Sequence, residues 1–376
     1  MWTRAANRRT ASPSPTKPSP WGEGFCKPSS PARKCAAGWE PPCIRKGLFV
    51  KAIDFIRALP KAELHLHLEG ALPWAMVRAA SPNHLPETPV WWANGFRFDD
   101  FTHFKEAIAL CYRDILTSPE NYHRAAQAVF QNLAAQNVRH VEISFSLEWA
   151  ILQNLHLADV VASIKRAAPP GMSVTVIGGL SREEAHLLTD NVLEAVFDTP
   201  TLDGLDLHGD ERVCGPAPFA EIFRHARQNG LLIKAHAGEL VGPHSIADTL
   251  DLLQVKRIEH GTTAIEDEAL MARLAEEQIT LDMCPWSNVR LRVVAHIADH
   301  PIREFHRRGI PVTINTDDPT LFGYSLTDEL VSLVENLGFT LPELAALQRN
   351  AFQVAAIPPT ARQALEAEIE QLLRQG

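Results

Sequence analysis

The sequence predicts an α/β fold of the (β/α)8 TIM-barrel type. Eight short apolar runs alternate with longer amphipathic stretches, which is the pattern of repeated βα units in a parallel sheet. Eight such units are the number that closes into a barrel. The competing architecture is an open, doubly wound sheet, and it is disfavoured because no GxGxxG turn follows an early strand.

The predicted strands are short and rich in aliphatic residues, and they cover 63–68, 138–145, 173–180, 204–208, 231–236, 257–260, 280–283 and 312–315. Helical periodicity between them is clearest over 121–136, 219–229, 266–277 and 302–308. Each of these stretches ends near a Gly, Asn or Gln, which are residues that suit the end of a helix.

Composition excludes several classes of protein. The chain carries 36 Lys and Arg against 45 Asp and Glu, and its net charge of -9 argues against a nucleic-acid or anionic-membrane surface. No apolar run reaches the roughly 18 residues that a membrane-spanning helix needs. Six Cys without a CxxC pair form neither a disulfide framework nor a Cys-type zinc module. We therefore expect a reducing compartment, the cytoplasm. Oligomeric state is left open.

Residues 1–46 differ in composition from the rest of the chain. They hold eight of the 27 Pro and nine Lys and Arg against two Glu, for a charge of about +7. We expect a disordered basic extension followed by a single domain over 47–376, because a Pro- and Ser-rich segment has too little apolar periodicity to order itself. A transit peptide or a nucleic-acid arm is the functional alternative.

Histidines and acidic residues lie where the predicted strands end. His65 and His67 are two apart on one strand, so their side chains project to the same face. His236 ends another strand, and the pair Asp317-Asp318 follows the last one. Three imidazoles and a carboxylate suit zinc best, with iron or manganese as alternatives. The competing interpretation of the Asp pair is a helix N-cap ahead of a proline.

Two further residues are candidates for acid–base chemistry. Glu239 lies three residues past His236 and can face the same cavity, although a glutamate in a first helical turn is an equal alternative. His260 ends a strand as well, and a packed core histidine is its competing interpretation.

Six segments resemble the adenosine deaminase family of the amidohydrolase superfamily, in the order found in that family. They are PKAELHLHLEG at 60–70, GLDLHGDE at 204–211, HAGE at 236–239, RIEHG at 257–261, CPWSN at 284–288 and NTDDP at 315–319. The similarity covers roughly 59–356, and the basic extension lies outside it.

The resemblance implies a zinc-dependent barrel that deaminates the 6-position of an adenine ring. It assigns the metal to His65, His67, His236 and Asp317, proton donation at ring N1 to Glu239, and the attacking water to His260. It assigns ring N7 and the attacking oxygen to Asp318, and ring N3 to the backbone of Gly209. The implied partner is a small-molecule purine nucleoside, with no nucleic acid and no membrane.

The substrate depends on departures from the family pattern. Adenosine deaminases usually carry Asp at the position of Glu69, where it contacts the ribose 5′-hydroxyl. Glu69 and the stretch 287–300 look closer to adenine deaminases, whereas 284–286, 315–319 and 322–329 look closer to the nucleoside enzymes. Our first expectation is an adenine-bearing nucleoside, either adenosine or 6-aminodeoxyfutalosine of menaquinone synthesis. Free adenine is the alternative.

An aromatic segment over 82–104 bears on this choice. Its Trp91, Trp92, Phe96, Phe98 and Phe101 are expected to be core residues, with a lid over a bulky 5′ group as the alternative. In that alternative Arg97 would meet a substrate carboxylate. His208 is a further candidate for ligand contact.

Two rival functions are weaker. A zinc hydrolase of amides or phosphoesters would need a second metal and usually a Lys on the fourth strand, where DLHGDE has none. A catalytically silent binding protein would be indicated by loss of Glu239, His260 or Asp318, and all three are present.

Overall fold

The computed structural model describes residues 46–81, 83–187, 196–197 and 202–375. The predicted extension, residues 1–46, lies outside these residues apart from its last one. The described residues fall in one compact unit. Three of the cysteines lie within them, and Cys111, Cys214 and Cys284 are free thiols. The reducing compartment and the cytoplasmic location stay predictions.

Eight parallel strands pair in chain order, as the sequence predicts. Their bounds are β1 Lys61–His67, β2 Val138–Ser146, β3 Ser173–Ser181, β4 Gly204–His208, β5 Leu232–Ala237, β6 Arg257–His260, β7 Thr280–Met283 and β8 Val312–Ile314. The residues after β8 meet β1, because Asp317 N donates to His65 O over 3.0 Å and His67 N donates to Asp317 O over 3.1 Å. The predicted (β/α)8 barrel is confirmed.

Helices surround the strands. The α-helices of the described residues are α1 Lys46–Ala58, α2 Leu68–Ala71, α3 Trp74–Ala80, α4 Phe101–Tyr112, α5 Pro119–Ala134, α6 Leu147–Leu152, α7 Leu157–Arg166, α8 Ala220–Gln228, α9 Pro243–Leu253, α10 Glu268–Glu276, α11 Pro285–Arg290, α12 Ile302–Arg307, α13 Pro319–Phe322, α14 Leu326–Leu337, α15 Leu341–Val354 and α16 Pro359–Gln375. Short 3-10 segments cover Val90–Trp92, Arg182–Leu187, Ala217–Phe219, Thr262–Glu266 and Ile297–Asp299. None of the described helices combines the length and apolarity needed to cross a bilayer.

Capping residues explain where several helices begin. Helix α5 begins two residues earlier than predicted, because Ser118 accepts a hydrogen bond from Asn121 N and Pro119 occupies the first turn. Helices α14 and α15 each begin with a reciprocal capping box, formed by Ser325 with Asp328 and by Thr340 with Glu343.

The outer faces of the strands pack against the helices in one large apolar cluster. A second cluster closes the barrel near the start of β1, where Phe55 and Leu59 of the N-terminal segment meet Phe352 of α15 and Ile369 of α16. Burial of these side chains provides most of the driving force for folding, at about 25 cal/mol per Å² of apolar surface.

The barrel interior contains a charged layer, which consists of Glu142, Lys234, Arg257, Glu259 and Asp282. All five side chains are buried. Lys234 Nζ lies 2.8 Å from Glu259 Oε1, while Arg257 lies 2.7 Å from Glu142 and 2.6 Å from Asp282. Burial raises the pKa of Glu142, but the nearby Arg257 outweighs it and lowers that pKa to about 2. The layer is thus internally paired.

Lys234→Met removes one cation from this layer and leaves Glu259 without its closest partner. We expect the free energy of unfolding to fall by about 3–5 kcal/mol, because removing one partner of a buried ion pair leaves the other charge buried and unpaired. Lys256→Met is the matched control, because Lys256 pairs with Glu277 at the surface and such pairs contribute about 0–1 kcal/mol. Urea titration followed by circular dichroism measures both variants. Equal losses would contradict the pairing role of Lys234.

Candidate active site

A cavity of about 210 Å³ opens at the carboxyl ends of the strands. Its lining includes eight of the nine site residues predicted from sequence, namely His67, Glu69, Gly209, His236, Glu239, His260, Asp317 and Asp318. The ninth, His65, lies directly against His236 and Asp317. The barrel therefore brings together residues that lie far apart in the chain.

Four donor atoms converge beside this cavity. His236 Nε2 lies 3.1 Å from His65 Nε2 and 3.2 Å from His67 Nε2. Asp317 Oδ1 lies 3.5 Å from the first of these β1 nitrogens and 3.4 Å from the second. Bonds of about 2.0–2.1 Å around a tetrahedral zinc ion would place neighbouring donors about 3.3 Å apart. The predicted tetrad fits one such ion.

Two neighbours extend this cluster without sharing its centre. His260 has a ring nitrogen within 4.8 Å of donor atoms on His65, His236 and Asp317. It lies 3.8 Å from Asp317 Oδ2, however, which is the oxygen turned away from the β1 histidines. Asp206 approaches His236 at Nδ1, the ring nitrogen on the far side from the tetrad. Both residues therefore flank the tetrad.

Hydrogen-bond acceptors at Nδ1 of two histidine rings determine which ring nitrogen faces the other donors of the tetrad. His65 Nδ1 lies 3.1 Å from Asp282 O, and His236 Nδ1 lies 3.1 Å from Asp206 Oδ1. A proton on each Nδ1 leaves Nε2 with a free lone pair, which a metal requires. Ser287 Oγ donates to Asp317 Oδ2 over 2.7 Å and holds that carboxylate in place.

The pKa of His236 reflects the charges around it. Burial lowers this pKa, but the carboxylates of Asp206 and Glu259 outweigh burial and raise it well above the ordinary value. Both carboxylates lie about 3 Å from Nδ1. The same negative charge would stabilise a divalent cation at Nε2, so the raised pKa marks a place where positive charge is favoured.

Two buried carboxyls of the site have raised pKa values. Burial and the neighbouring Asp317 raise the pKa of Glu239 well above its ordinary value, and they raise that of Asp318 in the same way. Oδ1 of Asp318 has no hydrogen-bond partner among the described residues. A buried polar atom without a partner is costly, and this one lines the cavity, so a ligand is its natural partner.

Glu211 positions the loop that carries Glu239. Its carboxylate accepts hydrogen bonds from the backbone N–H groups of Gly238, Glu239 and Leu240 at 2.8–2.9 Å, and from Ser245 Oγ at 2.5 Å. The motif GLDLHGDE contains this residue, but its role was not predicted. The sequence feature that could have indicated this role is an acidic residue shortly after the end of a strand, which is also the feature that identified other residues of the site.

Asn288 is a second positioning residue that sequence reasoning missed. Its Nδ2 lies 3.2 Å from His260 Nδ1 and 3.3 Å from Glu239 Oε1. Asn288 is the last residue of the CPWSN segment, and its place in that motif was the sequence feature that could have indicated a role in the site. One amide therefore contacts both candidate acid–base residues.

Two glycines allow close approach of other groups. A Cβ on Gly70 would lie 1.7 Å from Asp318 Oδ1, so only glycine lets that carboxylate reach its place. Gly209 has φ +93°, a conformation that residues with a side chain rarely adopt, and it lines the cavity.

The outer wall of the cavity is acidic. Glu69 is buried, and its Oε1 accepts a hydrogen bond from Ser146 N over 2.9 Å. Glu148 is buried as well and accepts from Ser181 N over 2.8 Å. Burial raises the pKa of each glutamate to about 7. Predicted His208 lies in the same lining, and burial lowers its pKa to about 4.

The aromatic segment packs mainly as core, in agreement with the favoured interpretation. Trp91 and Trp92 both donate their indole N–H to Thr320 O, over 3.0 and 2.7 Å, and Phe98 is fully buried. Arg97 donates to the carbonyl of Ala295 instead of facing the cavity. Of the five predicted aromatics, Phe101 lines the cavity, so its place differs from that of the core residues.

The match to known proteins covers the whole barrel. Residues 60–372 match the family described as adenosine deaminase. The chain belongs to the adenosine deaminase family. It is 36% identical over 333 residues to the adenine deaminase of Rhodospirillum rubrum, which covers 85% of this chain and 98% of that relative. It is 38% identical over 311 residues to the adenine deaminase of Bordetella parapertussis, with 79% and 97% covered.

Solved structures agree with this assignment. The adenine deaminase of Arthrobacter aurescens superposes with a TM-score of 0.75 at 29% identity, covering 84% of this chain and 99% of that one. An amidohydrolase of Burkholderia ambifaria with bound Zn gives the same TM-score at 26% identity, covering 90% and 96%. The protein is a metal-dependent hydrolytic deaminase.

Gly70→Ala tests the close approach of Asp318. The new methyl group would overlap Oδ1, so we expect the carboxylate to shift and deaminase kcat/KM to fall by about 10²-fold, as a displacement of about 1 Å can cause. Gly215→Ala is the control, since a Cβ there meets nothing within 4 Å. Steady-state kinetics measures kcat/KM of both variants, and elemental analysis shows whether each variant keeps its metal. Unchanged activity of Gly70→Ala would show that Asp318 is not needed where it lies.

Proposed function

We propose that this deaminase hydrolyses free adenine to hypoxanthine and ammonia. The observation that carries the proposal is the kinship to proteins named adenine deaminase, at 36% and 38% identity over nearly their whole length. Glu69 supports it from within the chain, because it stands where nucleoside deaminases usually carry Asp. The nucleoside expected first from the motifs lacks support among these relatives, and free adenine, the alternative, has it.

The cavity supports a small and uncharged substrate. Its volume of about 210 Å³ lies below the roughly 300–1,000 Å³ of pockets for drug-sized ligands. Glu69, Glu148, Glu183 and Glu184 line it, and the cation among the lining residues, Lys105, already pairs with Glu183 over 2.7 Å. A substrate carboxylate would therefore find no unpaired Lys or Arg among these lining residues, which counts against 6-aminodeoxyfutalosine.

We assign one divalent ion, Zn²⁺, to His65, His67, His236 and Asp317. The spacing of their donor atoms and the mixture of three imidazoles with one carboxylate suit zinc. Such an ion supplies the Lewis acidity that makes water nucleophilic near neutral pH.

The other residues bind the base and move protons. We assign proton donation at ring N1 to Glu239, because burial and Asp317 raise the pKa of its carboxyl and so favour the protonated form. Asp318 is assigned to ring N7 and to the attacking oxygen, and such contacts would satisfy its otherwise unpartnered Oδ1. The backbone N–H of Gly209 faces ring N3. His260 stands beside the attacking water.

The experiment that tests the substrate compares kcat/KM for adenine, adenosine and 6-aminodeoxyfutalosine, each followed by loss of the adenine absorbance. We expect adenine to be preferred by about a hundredfold or more, which corresponds to about 2.7 kcal/mol of transition-state discrimination. A comparable preference for adenosine would overturn the proposal and return the enzyme to the nucleoside reaction. A preference for the futalosine compound would also contradict the role given to the acidic wall.

A pair of variants separates metal binding from proton donation. Asp317→Ala removes one of the four donors, so we expect bound zinc to fall well below one ion per chain by elemental analysis. Glu239→Gln should keep stoichiometric zinc and lose about 10²–10⁴-fold in kcat, since an amide cannot deliver the N1 proton. Full zinc in the first variant or near-normal turnover in the second would refute the respective role.

A further inference from the structure

A chain of hydrogen bonds links a backbone group to the ring of His260. Ile302 N lies 3.3 Å from His300 Nδ1, His300 Nε2 lies 3.1 Å from Asn288 Oδ1, and Asn288 Nδ2 lies 3.2 Å from His260 Nδ1. All four residues are buried. This series of hydrogen bonds begins outside the cavity lining and ends at a residue of the active site.

The direction of donation along this chain follows from its first member. A backbone N–H can only donate, so His300 Nδ1 must be an acceptor without a proton. Burial lowers the pKa of His300 to about 3, so its ring is neutral and carries its single proton on Nε2. That Nε2–H then donates to Asn288 Oδ1.

The carboxamide of Asn288 is thereby oriented. Its oxygen accepts from His300 and also from Thr262 Oγ1, which lies 2.9 Å away. Its Nδ2 group is left to donate to His260 Nδ1 and to Glu239 Oε1. The reversed orientation would set the amide N–H against the N–H of His300, so the network itself decides between the two.

We propose that Asn288 is a positioning residue that fixes His260 in the tautomer with its proton on Nε2. Because Nδ1 of His260 accepts from the amide, the neutral ring must hold its proton on the other nitrogen. That nitrogen lies 3.5 Å from Glu239 Oε2 and 3.8 Å from Asp317 Oδ2, on the side of the ring to which the attacking water is assigned.

The fixed tautomer restricts what His260 can do. Its Nε2–H donates a hydrogen bond to the oxygen of the attacking water and orients it, and the ring has no free lone pair with which to take a proton. His260 therefore orients the water and does not act as its base. This role in turnover rests on the proposed deaminase reaction at this site, whereas the tautomer itself does not.

The backbone of His260 supports a constrained ring. Its φ of +65° lies in the left-handed region, which is uncommon for residues other than glycine. Such conformations persist where the surrounding structure holds them, and they concentrate at functional sites. The strained backbone and the amide thus act on the same side chain.

The test uses the zinc-loaded full chain with ¹⁵N-labelled histidine, and it reads the two ring nitrogens of His260 by NMR. The resonances of this ring are assigned by their loss in His260→Gln. We expect an unprotonated shift at Nδ1 and a protonated shift at Nε2 in the wild type. Asn288→Asp places an acceptor oxygen opposite Nδ1, so the proton should move to Nδ1.

Kinetics with adenine supply the second readout. Asn288→Asp should lower kcat by about 10²–10⁴-fold, the order of loss that a wrong histidine tautomer causes, while KM changes by less than about threefold. Asn336→Asp is the matched control, because the side chain of Asn336 donates to Ser332 of its own helix and lies outside the site. It should leave the His260 shifts and kcat unchanged.

Each outcome bears on the proposal. A proton on Nδ1 of wild-type His260 overturns it, and so does a loss of kcat in Asn288→Asp without any change of tautomer. If Asn288→Asp fails to fold, the wild-type spectrum still shows which ring nitrogen carries the proton. A wild type with the expected tautomer that does not deaminate adenine supports this inference and refutes the proposed substrate, so the two failures are distinct.

Discussion

The site depends on imidazole rings that must each leave one nitrogen unprotonated while buried among carboxylates. Asp206 and Glu259 contact Nδ1 of His236. Burying their negative charge in the barrel interior would cost much free energy without a compensating positive charge. Lys234 supplies it for Glu259. Arg257, in turn, lies between Glu142 and Asp282 of the same layer. The charges of the layer and of the site therefore form one connected set, joined by Lys234, which lies 2.8 Å from Glu259 and 3.9 Å from Glu142.

Loops above the strands complete the geometry by different means. Glu211 fixes the turn after β5 through backbone N–H groups, so the position of Glu239 is set by main-chain geometry. Gly70 gives Asp318 its room by the absence of a side chain. The main chain and the space beside Gly70 thus set the positions of these two carboxyls.

Much of this could be predicted from sequence, because strand pattern and residue type act locally. The eight strands and the convergence of His65, His67, His236 and Asp317 follow from apolar runs and from where each run ends. The charged layer was not predicted, since a single Lys or Arg inside an apolar strand gives no sign of the partner it meets across the barrel. The role of Asn288 also escaped prediction, because its orientation depends on a backbone group in a later helix. Substrate size depends on loop side chains, whose positions no periodicity encodes.

The closure of the barrel has a consequence for its stability. The pairing between the last strand segment and the first passes through Asp317 and His65, and then through Asp317 and His67. These are residues whose side chains face the same centre. The hydrogen bonds that close the barrel and the donor atoms of the proposed metal site therefore belong to the same residues. A cation bound there would stabilise this closure, and slower exchange of these amide protons with solvent would report its presence.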